Sequence, residues 1–291
     1  MSNKIFIVFV LVVSLLSCNL SSGSKNSEVE IIVESTQKTA KINPKGKTLE
    51  ERILVPPNYE RLNVEQSSFA NYLRNIKLNP DGSLVKYFDD SEKPNNGIYV
   101  AVVDQAIGSK DLHQCADAVM RLRAEYLWHA KKYDEIYFNF TNGHKVEYSE
   151  WMKGKRVKVI GNSSKWIQKE HPSNTYQDFW NYMELIFTYA GTASLEKELT
   201  STSIDKMNIG DVFIKGGFPG HAVIVVDMSK HTVTGKTIFL LAQSYMPAQE
   251  LQILENPSNE KQSPWYQLKK GQKLITPEWT FESGSLKSFD K

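Results

Sequence analysis

Cysteine is nearly absent: the 291 residues hold two, Cys18 and Cys115. Two thiols supply neither a four-cysteine zinc site nor a disulfide framework, so the fold is expected to rest on its apolar core. Other signatures are missing as well. There is no Gly-x-Ser-x-Gly elbow and no His-Glu-x-x-His helix, and Gly46-Lys47-Thr48 and Gly235-Lys236-Thr237 both lack the upstream glycine of a phosphate-binding loop. Charge of either sign is not in excess, with 35 basic against 33 acidic residues and a net charge of +2. No long basic run carries interleaved aromatics, so nucleic acid is not an expected partner. No internal repeat is found.

What is present suits one large domain, with 41% apolar residues over a chain of this length. The start, Met1-Ser2-Asn3-Lys4, is followed by an apolar run from Ile5 to Leu16 that is too short to span a membrane comfortably. Residues 1–17 therefore read as a signal peptide. The run ends in Leu15-Leu16-Ser17-Cys18, which resembles the bacterial lipobox. In that motif the cysteine is diacylated and becomes the new N-terminus. The resemblance implies lipid on Cys18 and an exported lipoprotein anchored to a membrane of the cell envelope, each buried methylene contributing roughly 0.8 kcal/mol. Residues 18–48, poor in large apolar groups, read as the lipidated flexible tether. Lipid on Cys18 would leave Cys115 without a disulfide partner.

From residue 49 to 291 the chain reads as a single α+β domain, helices first and an antiparallel sheet after. Ser67 to Arg74 has a helical pattern, and Ile98 to Val103 is a buried apolar run. Asp111 with Gln114 has the form of a capping box for a helix that runs to about Ala130 and carries Cys115, Val119, Leu122 and Tyr126 on one stripe. Thr141-Asn142-Gly143 marks a hairpin between Glu135–Phe140 and Lys145–Tyr148. Thr175 with Asp178 opens a second helix that stops at Gly191. Asp211–Ile214, Ala222–Val226 and Thr237–Leu241 are continuous apolar runs, expected as strands of a sheet covered on both faces. Trp151, Trp166, Trp180, Trp265 and Trp279 are expected mostly in the core, with Trp265 and Tyr266, after Pro264, the pair read as candidates for exposure.

A thiol attacks a carbonyl as its thiolate, and a helix N-terminus favours that form, so Cys115 is well placed for a nucleophile. It needs a base and a group to orient the base. His221 opens a strand, where a side chain is rigidly held. If the following strand pairs so that Asp227 faces Thr237, Gln243 falls opposite His221 and its amide can orient the imidazole. Asp117 and Arg121, on the same helix, are candidate substrate-binding residues. No metal or organic cofactor is expected.

Cysteine at a helix start, then Gly210-Asp211-Val212-Phe213-Ile214, then Gly220-His221 opening a strand, then a strand ending in a polar residue, resembles the NlpC/P60 and CHAP branches of the papain-like fold. That resemblance implies a Cys-bearing helix packed on an antiparallel sheet, with Cys115 attacking an amide, His221 as its base and Gln243 orienting the histidine. It also implies a thiol amidohydrolase or acyltransferase of the cell envelope, with peptidoglycan stem peptides among its substrates. Over residues 49 onward the chain also resembles a bacterial lipoprotein family known as domain of unknown function 4846. The matching stretches are Gln114 to Leu127, Tyr189 to Thr192, Gly210 to Ile214, Gly220 to Ala222 and Leu241 to Gln249. The rival expectation is a non-catalytic envelope module that binds peptide or glycan.

Overall fold

The structure, a computed structural model, describes residues 41–289. The expected signal peptide, Cys18 and the tether up to residue 40 lie outside the described residues. Residues 41–48, expected in the tether, pack onto the domain: Ile42 bridges Ile53, the Asn43 N–H donates to the Arg52 carbonyl, and the Arg52 guanidinium donates to the Gly46 carbonyl. The folded unit thus begins before residue 49. Among the described residues no helix is long and apolar enough to cross a membrane.

The helices are α1 (Leu49–Arg52), α2 (Phe69–Arg74), α3 (Cys115–His129), α4 (Tyr148–Met152), α5 (Tyr176–Tyr189) and α6 (Thr192–Glu198). Helix α5 starts as expected, with the Thr175 hydroxyl accepting from the Asp178 N–H. Helix α3 starts later than expected. Gln114 is its N-cap, and the Asp117 carboxylate accepts the Gln114 N–H at 3.0 Å. Asp111 instead accepts from the Gln114 side chain and from the Ala248 N–H, which ties the helix start to the loop after residue 243.

The main sheet has eight strands: β1 (Tyr59–Arg61), β2 (Tyr99–Val102), β3 (Thr200–Ser201), β4 (Val212–Lys215), β5 (His221–His231), β6 (Thr237–Gln243), β7 (Gln252–Leu254) and β8 (Leu286–Ser288). Their order is β2-β7-β6-β5-β4-β8-β3, with β1 added beside the far end of β5. All pairs are antiparallel. The architecture is therefore mixed, a mostly antiparallel sheet with a few helices. Unlike the expected helices-first order, the early segments β1 and β2 complete the sheet. The predicted hairpin forms between Tyr137–Asn139 and Lys145–Glu147, and a further hairpin, Lys155–Ile160 with Ser163–Gln168, had not been expected.

Both faces of the sheet are covered, as continuous apolar runs require. Alternation sends Ala222, Ile224 and Val226 of β5 toward α3 and α5. Val223 and Val225 point the other way, onto Phe281, Leu274 and Tyr266 of the C-terminal segment. Trp265 is fully buried, its indole N–H donating to the Leu54 carbonyl, and Tyr266 is buried too, against the expectation that this pair is exposed.

A bulge interrupts β5 between Val225 and Asp227. Asp227 is fully buried there and accepts from Arg61 Nε at 2.6 Å and Arg74 Nε at 2.9 Å, so one carboxylate joins α2, β1 and the sheet.

Candidate active site

At the start of β5 and of α3 the fold leaves a cleft of about 400 Å3. Cys115 and His221 both line it. Cys115 is the first residue of α3, so its own N–H has no acceptor within the helix. His221 is the first residue of β5, held beside Lys215 of β4. From the loop between these two strands, Gly217 to Gly220 form one wall, and Tyr245 and Met246, just after β6, form another.

The orientation of His221 is fixed by hydrogen bonding. Its Nε2 lies 2.9 Å from Gln243 Oε1, and Gln243 Nε2 donates to Glu278 Oε2 at 2.6 Å. Because the amide nitrogen is committed to a carboxylate, its oxygen must accept from the ring, so Nε2 carries the hydrogen and Nδ1 keeps its lone pair. Glu278 is itself held by Lys93 Nζ at 2.8 Å, and Lys93 also donates to Gln249. The imidazole is boxed by rings, with Tyr245 at 4.7 Å and Phe281 at 5.7 Å between centroids.

Burial sets the electrostatics. It pushes the Cys115 thiol up to about 11, helped by Asp117, while the backbone N–H groups of Ala222, Ala116 and Cys115 pull the other way. Burial also lowers His221 to about 4, against the raising effect of its bond to Gln243. At neutral pH the cleft thus holds a thiol and a neutral imidazole rather than a thiolate–imidazolium pair. No hydrogen bond joins the sulfur to His221 among the described residues, although the Ala222 N–H beside His221 reaches the sulfur.

The other sequence candidates divide. Asp117 lines the cleft and is buried, which raises its carboxyl well above the usual range; its Oδ1 has no hydrogen-bond partner. Arg121 is not among the lining residues. It is buried against Glu125, donates to the Ala106 carbonyl at 2.7 Å and stacks over Trp180 at 4.6 Å. Glu278, Lys93 and Tyr245 were missed by sequence reasoning. Lys93 and Glu278 are joined only by the tertiary fold, whereas Tyr245 could have been found by continuing the alternation of β6 two residues beyond Gln243. Among the described residues no cluster of three histidine, cysteine or acidic side chains is arranged to hold a metal.

Gly220 precedes His221 where a side chain has no room, since a Cβ there would overlap the Gly217 carbonyl and the Thr192 hydroxyl. Gly220→Ala is expected to displace the 216–220 loop and lower reactivity at Cys115 while Thr192→Ala in the same chain restores part of it. Labelling rates of the two variants check this.

No curated protein and no solved structure matches the chain. A family model does, across residues 49–288, an interval that contains every residue of this cleft. The chain therefore belongs to the family described as Domain of unknown function (4846).

Proposed function

We propose that this cleft is a thiol acyl-transfer site of papain-like design, in which Cys115 is the nucleophile, His221 the base and Gln243 the group that orients the base. The observation that carries the reading is the His221 Nε2 to Gln243 Oε1 hydrogen bond, 2.9 Å long, in a cleft shared with the thiol. It leaves Nδ1 as the basic nitrogen. The sulfur bonds to the reacting carbonyl carbon as its proton passes to Nδ1, and the C–N bond breaks as that proton passes on to the departing amine. Water, or another amine or alcohol, then attacks the thioester to release the acyl group. The Cys115 N–H at the helix start is the first donor for the oxyanion. Tyr245 walls the same cleft, with its ring packed edge-on against the His221 imidazole.

The elevated thiol supports a second reading, a binding module with an unreactive cysteine. The pH dependence of alkylation separates them. With a folded value near 11 and no base, labelling by iodoacetamide rises about tenfold per pH unit from 6 to 9. Proton removal by His221, neutral above about pH 4, flattens that slope, and His221→Ala restores it. Identical steep profiles in both proteins would favour the binding module.

We also propose that the exported protein is held at an envelope membrane by lipid on Cys18. Incorporation of labelled palmitate that disappears in Cys18→Ala is the expected result.

A further inference from the structure

The mouth of the Cys115 cleft carries two exposed apolar side chains. Phe218 is 94% exposed, more than any other large apolar residue among those described, and Met246 is 52% exposed. They sit on the two loops that wall the cleft, one following β4 and one following β6, and both line it together with Trp279 and Phe187. Two exposed apolar side chains that share the mouth of a pocket mark a place that a ligand covers. A second observation sets the character of that ligand. Neither lysine nor arginine is among the residues lining the cleft. Its acidic members, Asp111 and Asp117, offer a carboxylate no counter-charge, and the nearby Lys93 is already held by Glu278.

We propose that the group flanking the reacting carbonyl is large and apolar and packs between Phe218, Met246 and Trp279. This rests on the acyl-transfer reading of Cys115, which says where the carbonyl lies. The apolar group can come from a fatty acyl chain or from a bulky side chain of a peptide, which share the same packing chemistry. An acidic stem peptide is a poor fit, because no cation in the cleft receives its carboxylates and the apolar rim stays wet beside them. The substrate class is thereby narrower than cell-envelope amides in general.

The test uses two measurements. In the first, Cys115→Ala is titrated with octanamide, N-acetyl-phenylalaninamide and N-acetyl-glutamate amide, and binding is followed by tryptophan fluorescence and calorimetry. In the second, the unmutated protein is given the matching octanoyl, phenylalanyl and glutamyl anilides. The expected result is binding of at least one apolar amide more than tenfold tighter than the glutamyl one. It weakens at least tenfold in Phe218→Ser/Met246→Ser and is unchanged in Val233→Ser, a remote residue that is 85% exposed. Preference for the octanoyl or the phenylalanyl probe identifies the source. Tight apolar binding without any anilide turnover would leave this site standing and remove the acyl-transfer reading. Equal or preferred binding of the glutamyl amide, no binding of any probe, or indifference to the double substitution would overturn the proposal.

Discussion

Cys115→Ala is expected to abolish acyl transfer, and His221→Ala to lower kcat by about 10²–10⁴-fold, the usual contribution of a positioned general base. The two effects have different origins. Without Cys115 no thioester forms. Without His221 the sulfur remains, but burial holds its proton up to about pH 11, so few molecules are thiolate at neutral pH. On the acyl-transfer proposal, the cleft is then expected to depend more on His221 than a site with a preformed ion pair would. The resting structure has no hydrogen bond from sulfur to imidazole, and such contacts commonly tighten only when substrate fills the site. Gln243→Leu should fall between the wild type and His221→Ala, because it frees the ring without removing it. Steady-state kinetics on an apolar anilide, with binding to Cys115→Ala as the folding control, check the order.

Asp227→Ala is expected to cost about 3–5 kcal/mol of stability, the range for breaking a buried ion pair by removing one partner. The carboxylate is fully buried and accepts from both Arg61 and Arg74. Removing it leaves two guanidinium groups facing each other with little access to water. For a domain whose whole stability is typically about 5–15 kcal/mol, that loss is a large share. Urea denaturation measures it. Glu282→Ala, which breaks the exposed pair with Lys273, should be indistinguishable from the wild type in the same experiment.

The bulge beside Asp227 also explains what the sequence could and could not reveal about the site. Pairing Asp227 with Thr237 placed Gln243 opposite His221. In the structure Ile224 faces Ala242 and Val225 faces Leu241, a register two residues away, and its continuation puts Tyr245 opposite His221 instead. Gln243 still reaches the imidazole, as a diagonal neighbour. A shift of two residues preserves the face of a strand, whereas a shift of one would have turned the amide away. The contact was therefore legible even though the register was not. The strands themselves could be read because buried β-strands spell continuous apolar runs, and helix α5 because Thr175 and Asp178 cap it. The start of α3 was misplaced by its duplicated capping spacing, since Asp111–Gln114 and Gln114–Asp117 both fit a three-residue box.

What escaped the sequence depends on distant chain segments. Glu278 holds Gln243 and is itself held by Lys93 from the opposite end of the domain, and neither has a local pattern that announces the role. Arg121 looked available for substrate because its helix carries Cys115. The fold instead turns it into the core, where Glu125, Ala106 and Trp180 occupy it. Phe218 lay in a short loop between two strands, and only the cleft beside it gives its exposure a meaning.

The most direct test of the account is to trap the acyl-enzyme. The protein is mixed with a p-nitrophenyl ester of an apolar acid, quenched in acid within seconds, and its intact mass and peptide map are recorded. The account predicts one added acyl group, on Cys115, formed at least tenfold more slowly in His221→Ala and not at all on that peptide in Cys115→Ala. Acylation scattered over surface lysines, or labelling of Cys115 at the same rate with and without His221, would contradict it.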